Sequence, residues 1–339
     1  MATLTFKDFK SDQEVRWCPG CGDHAVLAAL QRALPKVSQA LNYDKERYVV
    51  VSGIGCSSRL PYYMDTYGFH SIHGRATAVS TGIKVANPTL TVWQACGDGD
   101  ALAIGGNHFI HAIRRNIDIN IILFNNRIYG LTKGQYSPTS KFGAITKTSP
   151  YGTVEHPFNP GSLVLGAKGT FFARSLDVEL KLNEEILTQA ALHKGTSVVE
   201  MLTNCVIFND GAHKDLSDPA VKADRTIVLR DGEKMLFGKN REKGLVLDDM
   251  GLKAVVVGED GYTMDDVLVH DPHTDNMGLH MMLSEMKGPE LPVALGVIRD
   301  VKQLTYDDGV HDQVLEVTAK SRIHSVDELL HSGSTWEVR

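Results

Sequence analysis

The sequence lacks any apolar run long enough to cross a membrane, and its N-terminus (MATLTFKDFKSDQEV) lacks the apolar core of a signal peptide. It also has no block of basic residues: 35 Lys and Arg stand against 41 Asp and Glu, which gives a formal net charge of -6. The first two absences predict a cytoplasmic protein without a membrane partner. The third argues against nucleic acid as the main partner.

Cysteine is scarce as well, with five residues in 339. An odd count without a secretion signal argues against a disulfide framework and favours metal binding or catalysis. Cys18 and Cys21 form a Cys-Pro-Gly-Cys hairpin, whereas Cys56 and Cys205 each come shortly after a strand-like segment. Cys96 stands apart, next to a glycine-rich loop, and is expected to serve packing.

Alternating strand-like and helix-like segments predict an α/β fold with a doubly wound, mostly parallel sheet. A first helix is expected from Asp23, as its N-cap, to Leu34. The other predicted elements are strand 48–52, helix 76–86, strand 90–95, a crossover helix carrying Leu102, Gly106, Phe109, Ile110, Ile113 and Ile117, strand 119–124, helix 179–193 and strand 196–202.

Two segments fall outside this alternation. Residues 127–161 hold many Gly, Pro, Ser and Thr residues and are predicted to form a functional loop. The pattern weakens after about residue 210, with one last apolar strand at 293–298. We therefore predict a main domain over residues 1–215 and a peripheral C-terminal extension over residues 216–339, packed on that domain or on a partner subunit.

Polar residues follow two of the predicted strands. Asp98, in Gly-Asp-Gly-Asp, follows the first, and Asn126 follows the second, with room for one helix and one strand between them. Parallel strands would bring both to one edge of the sheet, where open α/β sheets bind ligands. A carboxylate and an amide oxygen suit Mg²⁺ held together with a diphosphate. A surface turn that binds nothing is the alternative for this short glycine motif.

The cysteines predict a second centre. Thiolates are the usual ligands of iron-sulfur clusters, and four cysteines are the usual set. Cys18, Cys21, Cys56 and Cys205 meet at the same sheet edge if the strand predictions hold. A four-thiolate zinc site and burial as small apolar residues are the alternatives.

Taken together, these motifs resemble the β subunits of 2-oxoacid:ferredoxin oxidoreductases, most of all the members that act on 2-oxoglutarate (2-oxoglutarate synthases). The matching segments are WCPGCG (17–22), GIGCS (53–57), HGRA (73–76), GDGDA (97–101), NN (125–126) followed by IYGLTKGQ (128–135), and Cys205. They span most of residues 16–205, in order.

The resemblance implies thiamine diphosphate, Mg²⁺ and one 4Fe-4S cluster on a sheet of the thiamine-diphosphate-binding type. It makes Cys18, Cys21, Cys56 and Cys205 the cluster ligands, and Asp98, Asn126 and the backbone carbonyl of Ile128 the Mg²⁺ ligands. The residues that it places around the cofactor are Ile54, Gly55, Cys56, Ser57, His73, Gly99, Asp100, Gly130 and Leu131. For His73, a purely structural hydrogen-bonding role is the alternative.

The implied reaction is the coenzyme A-dependent oxidative decarboxylation of a 2-oxoacid, with electrons passed through the cluster to ferredoxin, or the reverse carboxylation. In this family, the glutamate that assists the thiamine ring lies on the α subunit, and no glutamate of this sequence stands in a comparable context. We therefore predict that the chain alone is inactive and works with an α subunit, as an αβ or α2β2 enzyme.

Lys133 bears on the choice of substrate. It stands where pyruvate enzymes of the family often have a smaller residue, and it can pair with the distal carboxylate of 2-oxoglutarate. The resemblance therefore implies that 2-oxoglutarate is converted to succinyl-CoA. Pyruvate or a broad range of 2-oxoacids is the alternative, with Lys133 as a solvated loop residue. A non-redox thiamine carboligase or decarboxylase is the nearest rival, and a zinc-binding interaction module is the more distant one.

Overall fold

The computed structural model describes residues 4–338. Residues 1–3, at the start of the predicted main domain, and residue 339, at the end of the predicted extension, lie outside the described residues. The strands are β1 Tyr48–Ser52, β2 Tyr67–His70, β3 Thr91–Gly97, β4 Ile119–Asn125, β5 Phe171–Leu176, β6 Ser197–Leu202, β7 Thr226–Val228, β8 Leu236–Phe237, β9 Lys243–Asp248, β10 Gly251–Val256 and β11 Val293–Asp300. The α-helices are α1 Asp23–Leu41, α2 Leu60–Tyr63, α3 Ala76–Ala86, α4 Asp98–Leu102, α5 Gly106–Arg114, α6 Pro160–Gly166, α7 Leu180–Leu192, α8 Lys214–Ser217, α9 Lys222–Arg225, α10 Met277–Glu285, α11 Tyr306–Lys320 and α12 Val326–His331.

The main sheet has eight strands in the order β2-β1-β3-β4-β6-β5-β11-β7, and every neighbouring pair is parallel except β5 and β11. One row of paired residues crosses the centre of the sheet through Ser52 on β1, Ala95 on β3, Ile122 on β4, Val199 on β6 and Ala173 on β5. Strands β8 to β10 form a small antiparallel sheet of their own. The predicted doubly wound, mostly parallel α/β fold is confirmed.

Apolar residues cover both faces of the sheet. Helices α1 and α7 pack on one face, and helices α3 and α5 pack on the other. Every residue of β4 and β6 is buried, as expected for parallel strands covered on both sides. This double cover leaves the ends of the strands as the places where polar groups gather.

The helix predictions need three corrections. Helix α1 does begin at Asp23, but its N-cap is Gly22, and it continues through Pro35 to Leu41 because its buried face includes Val37. The crossover helix, whose predicted apolar pattern starts at Leu102, begins earlier, at Asp98. The single crossover helix is two helices, α4 and α5, separated by residues 103–105.

The C-terminal segment is more closely integrated than the sequence suggested. Strand β11 pairs with β5 inside the main sheet, and β7 pairs with β11. The expectation of a peripheral extension is therefore wrong for these strands, whereas the domain boundary near residue 215 stays a prediction. Strand β5 was not predicted at all. Among residues 4–338, no helix is both long and apolar enough to span a membrane.

Candidate active site

The loops after β1, β2, β3 and β4 surround one cavity of about 490 Å³ at the carboxyl edge of the sheet. Open α/β sheets bind their ligands at this edge. The wall of the cavity contains all the residues predicted to contact the cofactor or Mg²⁺, namely Ile54, Gly55, Cys56, Ser57, His73, Asp98, Gly99, Asp100, Asn126, Ile128, Gly130 and Leu131. Lys133, Cys18, Cys21 and Cys205 are not part of this wall.

Asp98 is buried at the floor of the cavity, with 2% of its surface exposed. Its Oδ2 accepts hydrogen bonds from the Ser137 hydroxyl at 2.5 Å and from the Thr139 hydroxyl. Burial raises the pKa of Asp98, and these two hydroxyls offset part of the increase. Ser137 and Thr139 were not predicted, although the Ser- and Thr-rich composition of the loop was a signal for them.

Asp100 holds two loops of the cavity in place. Its Oδ1 accepts hydrogen bonds from the amide of Gly74 at 2.7 Å and from the amide of Ile54 at 3.1 Å. A Cβ at Gly53 would overlap the Asp100 carboxylate, which explains why this position has no side chain. Burial raises the pKa of Asp100, and the two amides and the charge of His73 lower it. His73 itself is exposed at the cavity wall.

The turn after β4 contributes Asn126 and Ile128 to the cavity wall. Asn126 Oδ1 accepts a hydrogen bond from the amide of Ile128 at 3.1 Å, which closes a tight turn around Arg127 with φ of 58°. Asn209 Nδ2 donates to the carbonyl of Asn126 at 2.9 Å and holds the turn from the other side. Asp98, Asn126 and Ile128, whose carboxylate, amide oxygen and backbone carbonyl are the predicted Mg²⁺ ligands, all line this cavity. This donor set fits Mg²⁺, a hard cation that takes oxygen ligands.

Tyr129 is a site residue that the sequence reasoning missed. Its ring lies against Gly99, where a Cβ would overlap it, and its hydroxyl donates to the carbonyl of Gly99 at 3.2 Å. Burial, reinforced by the charges of Asp98 and Asp100, raises the pKa of Tyr129 to about 12. The second glycine of the Gly-Asp-Gly-Asp motif is thus required by a neighbouring aromatic ring as well as by the cavity.

Residues 129–135 form a compact turn at the mouth of the cavity. The amide of Tyr129 donates to the carbonyl of Gln135 at 2.8 Å, and the amide of Gly134 donates back to the carbonyl of Tyr129 at 2.9 Å. Lys133 is exposed at the tip with φ of 75°, a left-handed conformation that favours glycine. Lys133 does not line the cavity, although Thr132 and Gln135 of the same turn do.

The segments that carry four cysteines meet beside this cavity. The amide of Gly22 donates to the carbonyl of Asn204 at 3.1 Å, and the indole of Trp17 donates to the carbonyl of Cys56 at 2.7 Å. A Cβ at Gly130 would lie 3.5 Å from the sulfur of Cys205 and 3.8 Å from that of Cys56.

The cysteine environment is crowded with groups that carry negative charge when ionised. Burial, followed by the charges of Asp23, Cys205 and Cys18, raises the pKa of Cys56 to about 11. Burial also raises the pKa of Cys21 and of Asp23, the latter to about 7. Among residues 4–338, no three His, Cys, Asp or Glu side chains are arranged around a single metal ion.

Cys96 lies elsewhere, buried within β3, where its thiol donates to the carbonyl of Ile122. Its position between β3 and β4 agrees with the packing role expected from the sequence.

Three comparisons bear on this site. Residues 53–201 match the family model described as thiamine pyrophosphate enzyme, C-terminal TPP binding domain. The chain is 48% identical over 335 residues to the 2-oxoglutarate oxidoreductase subunit KorB of Mycobacterium tuberculosis, covering 98% of this chain and 88% of that protein. It is also 48% identical over 189 residues to the 2-oxoglutarate synthase subunit KorB of Archaeoglobus fulgidus, covering 56% of this chain and 69% of that protein.

The chain is also similar to a solved structure over nearly its whole length. The 2-oxoglutarate:ferredoxin oxidoreductase from Magnetococcus marinus, with 2-oxoglutarate, coenzyme A and succinyl-CoA bound, superposes with a TM-score of 0.77 at 30% identity, covering 99% of this chain and 98% of that one. The matched segment 53–201 contains β2 to β5 and every residue that lines the cavity, and it matches a thiamine diphosphate-binding domain. With near-complete coverage by a relative at 48% identity, the chain belongs to the KorB family of 2-oxoglutarate oxidoreductase β subunits.

Proposed function

We propose that this chain is the β subunit of a 2-oxoglutarate:ferredoxin oxidoreductase, which converts 2-oxoglutarate and coenzyme A to succinyl-CoA and CO2 and passes the electrons to ferredoxin. The observation that supports it best is the shared wall of the cavity, which contains Asp98, Asn126 and Cys56 together. Relatives with this activity in their names support the choice of substrate. The same site would serve the reverse carboxylation.

The residues of the cavity have separate tasks in this proposal. Asp98, the Asn126 amide oxygen and the Ile128 carbonyl hold Mg²⁺, and Asp100 keeps the loops with Ile54 and Gly74 in position around the cofactor. Thiamine diphosphate supplies the electron sink for decarboxylation when bound. Ile54, Leu131 and the Tyr129 ring line the cavity with apolar surface and exclude water from it.

We assign the 4Fe-4S cluster to Cys18, Cys21, Cys56 and Cys205. The convergence of their segments and the two sulfurs next to Gly130 support this assignment. The thiols must lose their protons to bind iron, so the raised pKa of Cys56 means that cluster assembly releases protons near neutral pH. All five cysteines are free thiols, which accords with the reducing cytoplasm that we propose as the location.

We assign to Lys133 the role of binding the distal carboxylate of 2-oxoglutarate. A lysine in a left-handed conformation costs about 1 kcal/mol or more relative to glycine, and such strain is often retained for function. Its place at the cavity mouth lets the ammonium group reach a carboxylate that extends out of the cavity. Pyruvate lacks that carboxylate, so Lys133 would favour 2-oxoglutarate over pyruvate.

The active site is completed by an α subunit in this proposal, because no glutamate is among the residues that line the cavity. We expect an αβ or α2β2 enzyme, with the cavity of this chain at the subunit interface. The chain purified alone is expected to bind thiamine diphosphate weakly and to show no turnover.

Anaerobic co-purification with the α subunit tests the proposal. Iron, sulfide and thiamine are quantified, and coenzyme A-dependent reduction of ferredoxin is measured with a panel of 2-oxoacids. Iron and thiamine together with highest turnover on 2-oxoglutarate support the proposal. Turnover with thiamine but no iron would point to a carboligase or decarboxylase, and one zinc without thiamine would point to an interaction module. Equal turnover on pyruvate would contradict the substrate assignment.

A further inference from the structure

A chain of buried polar side chains runs from the floor of the cavity into the sheet. None of its members is more than 5% exposed: Asp98, Thr139, Asn125, Glu200 and Arg174. They come from the first residue of α4, the 127–161 loop and strands β4, β6 and β5. Buried polar groups of this kind are retained where each one is hydrogen-bonded by the next.

The far end of the chain is a buried ion pair. Arg174 Nε donates to Glu200 Oε2 at 2.6 Å, and the rest of the guanidinium donates to the carbonyl of Ser284 and the side-chain oxygen of Asn159 at 3.3 Å. These partners fix the guanidinium on three sides. The Glu200 carboxylate is therefore held in one orientation, with Oε1 directed away from Arg174.

Glu200 then sets the orientation of Asn125. The amide nitrogen of Asn125 donates to Glu200 Oε1 at 2.7 Å, because an ionised carboxylate accepts only from a donor. The amide oxygen of Asn125 must consequently face the other way, where it lies 2.9 Å from the Thr139 hydroxyl. The same hydroxyl contacts Oδ2 of Asp98.

Thr139 is thus placed between two acceptors although its hydroxyl carries a single proton. An unliganded Asp98 carboxylate draws that proton, and the Asn125 oxygen then goes without it. With the Asn125 oxygen fixed at 2.9 Å, the Thr139 oxygen stays beside Asp98 whichever of the two acceptors its proton points to. The Ser137 hydroxyl, 2.5 Å from the same Oδ2, remains as a donor to Asp98 in either case.

We propose that Glu200 and Asn125 are positioning residues for the cation at Asp98, and that they act through Thr139. This inference rests on the proposed function, since it takes Asp98 as a Mg²⁺ ligand. The ion pair of Arg174 and Glu200 sets the amide of Asn125, and that amide places the Thr139 hydroxyl against Asp98. If any of these hydrogen bonds is lost, the Asp98 carboxylate can rotate out of the orientation in which it binds Mg²⁺.

The test uses the enzyme co-purified with its α subunit and the variants Glu200→Gln, Thr139→Val and Thr139→Ser. The readouts are the half-saturating Mg²⁺ concentration for thiamine diphosphate binding, followed by intrinsic fluorescence, and the split between kcat and the apparent KM for Mg²⁺. We expect Glu200→Gln and Thr139→Val to raise the half-saturating Mg²⁺ about 10- to 100-fold, as removal of outer partners of metal ligands does elsewhere, with kcat at saturation largely kept. Thr139→Ser retains the hydroxyl and should stay near the wild-type value.

Asp300→Asn is the matched control. It alters the side chain that contacts His193 Nδ1 at 2.7 Å, beside Phe171 at the start of β5, and should lower Tm without changing the response to Mg²⁺. Wild-type Mg²⁺ affinity in Thr139→Val and Glu200→Gln would overturn the inference and leave the proposed function intact. If Glu200→Gln does not fold, the Val and Ser variants at Thr139 decide. A wild-type enzyme without Mg²⁺-dependent thiamine binding would overturn the proposed function, and the inference with it.

Discussion

The backbone amide of Gly74 donates a 2.7 Å hydrogen bond to Oδ1 of Asp100, which joins the loop after β2 to the first turn of α4. The same oxygen accepts from the amide of Ile54. We predict that Asp100→Leu, which removes the acceptor of both hydrogen bonds, weakens thiamine diphosphate binding and lowers stability by about 1–3 kcal/mol, the cost of leaving buried donors unpaired. Calorimetric titration and thermal unfolding of the assembled enzyme measure the two effects.

Asp100→Asn is the control for that prediction, because one oxygen suffices for both amides. It should keep most of the cofactor affinity. Equal losses in the Asn and Leu variants would show that the charge of Asp100, rather than its hydrogen bonds to the loops, is what the site needs.

Gly99 and Tyr129 are predicted to be coupled. Gly99→Ala places a methyl group where the Tyr129 ring lies, and it should destabilise the protein by about 1–3 kcal/mol through overpacking. Tyr129→Ala removes the ring, so the double variant should lose less than the sum of the single losses. A double-mutant cycle by chemical unfolding gives the coupling energy, and strict additivity would refute the contact.

The cysteines separate into two classes that can be told apart by iron analysis. Cys56→Ser and Cys205→Ser should lose the cluster iron and the reduction of ferredoxin. Cys96→Ala, the control, should keep both because Cys96 is packed between β3 and β4. Full iron content in Cys205→Ser would remove that residue from the ligand set.

Lys133 is predicted to discriminate between substrates. Lys133→Ala should lower kcat/KM for 2-oxoglutarate about 10-fold relative to pyruvate, in line with the loss of one charge-assisted hydrogen bond. Lys147→Ala, at another exposed lysine of the 127–161 loop, should leave the ratio unchanged. An unaltered ratio in Lys133→Ala would assign the choice of substrate to other residues or to the α subunit.

His213 should make the fold sensitive to acid. Its Nε2 donates to the carbonyl of Asn125 at 2.9 Å, and burial, with help from Arg127, lowers its pKa to about 3. The unfolded chain takes up this proton near pH 6.5, where the folded one does not. The free energy of unfolding therefore falls as the pH drops from about 6.5 towards 3, by up to about 1.4 kcal/mol per pH unit.

His213→Gln keeps an N–H donor for Asn125 but cannot titrate, so its Tm should depend less on pH between 6.5 and 5. His324→Gln, at an exposed position, is the comparison. Parallel Tm profiles for wild type and His213→Gln would show that the buried histidine does not control this dependence.

The residues at the carboxyl edge of the sheet could be predicted because the sequence patterns that indicate them are local. Strand-like runs before Asp98 and Asn126 place both residues where parallel strands end, and α3 and α7 begin and end within one residue of their predicted bounds. Strand β5 escaped prediction because Arg174 interrupts its apolar run. The partner that permits its burial, Glu200, lies on β6, and their pairing depends on a strand order that local patterns do not contain.

The hydrogen bonds of Thr139 and Ser137 to Asp98 could not be predicted from the sequence for a related reason. Thr139 and Ser137 belong to a long loop whose path is set by tertiary hydrogen bonds, such as that from Ser140 Oγ to the carbonyl of Arg127 at 2.7 Å. Tyr129 was visible in the sequence only as part of a motif. Its role follows from its contact with Gly99, where a Cβ would overlap the Tyr129 ring. This contact is visible only in the structure.

The central claim is that a cluster held by this chain's cysteines receives electrons from the substrate bound in the cavity of Asp98. The most direct measurement is the electron paramagnetic resonance spectrum of the assembled enzyme after anaerobic addition of 2-oxoglutarate and coenzyme A without ferredoxin. We predict a reduced-cluster signal in the wild type and in Cys96→Ala, and none in Asp98→Ala although its iron is retained. A substrate-dependent signal of wild-type size in Asp98→Ala, or no signal in a wild-type enzyme that holds both iron and thiamine, would contradict the account.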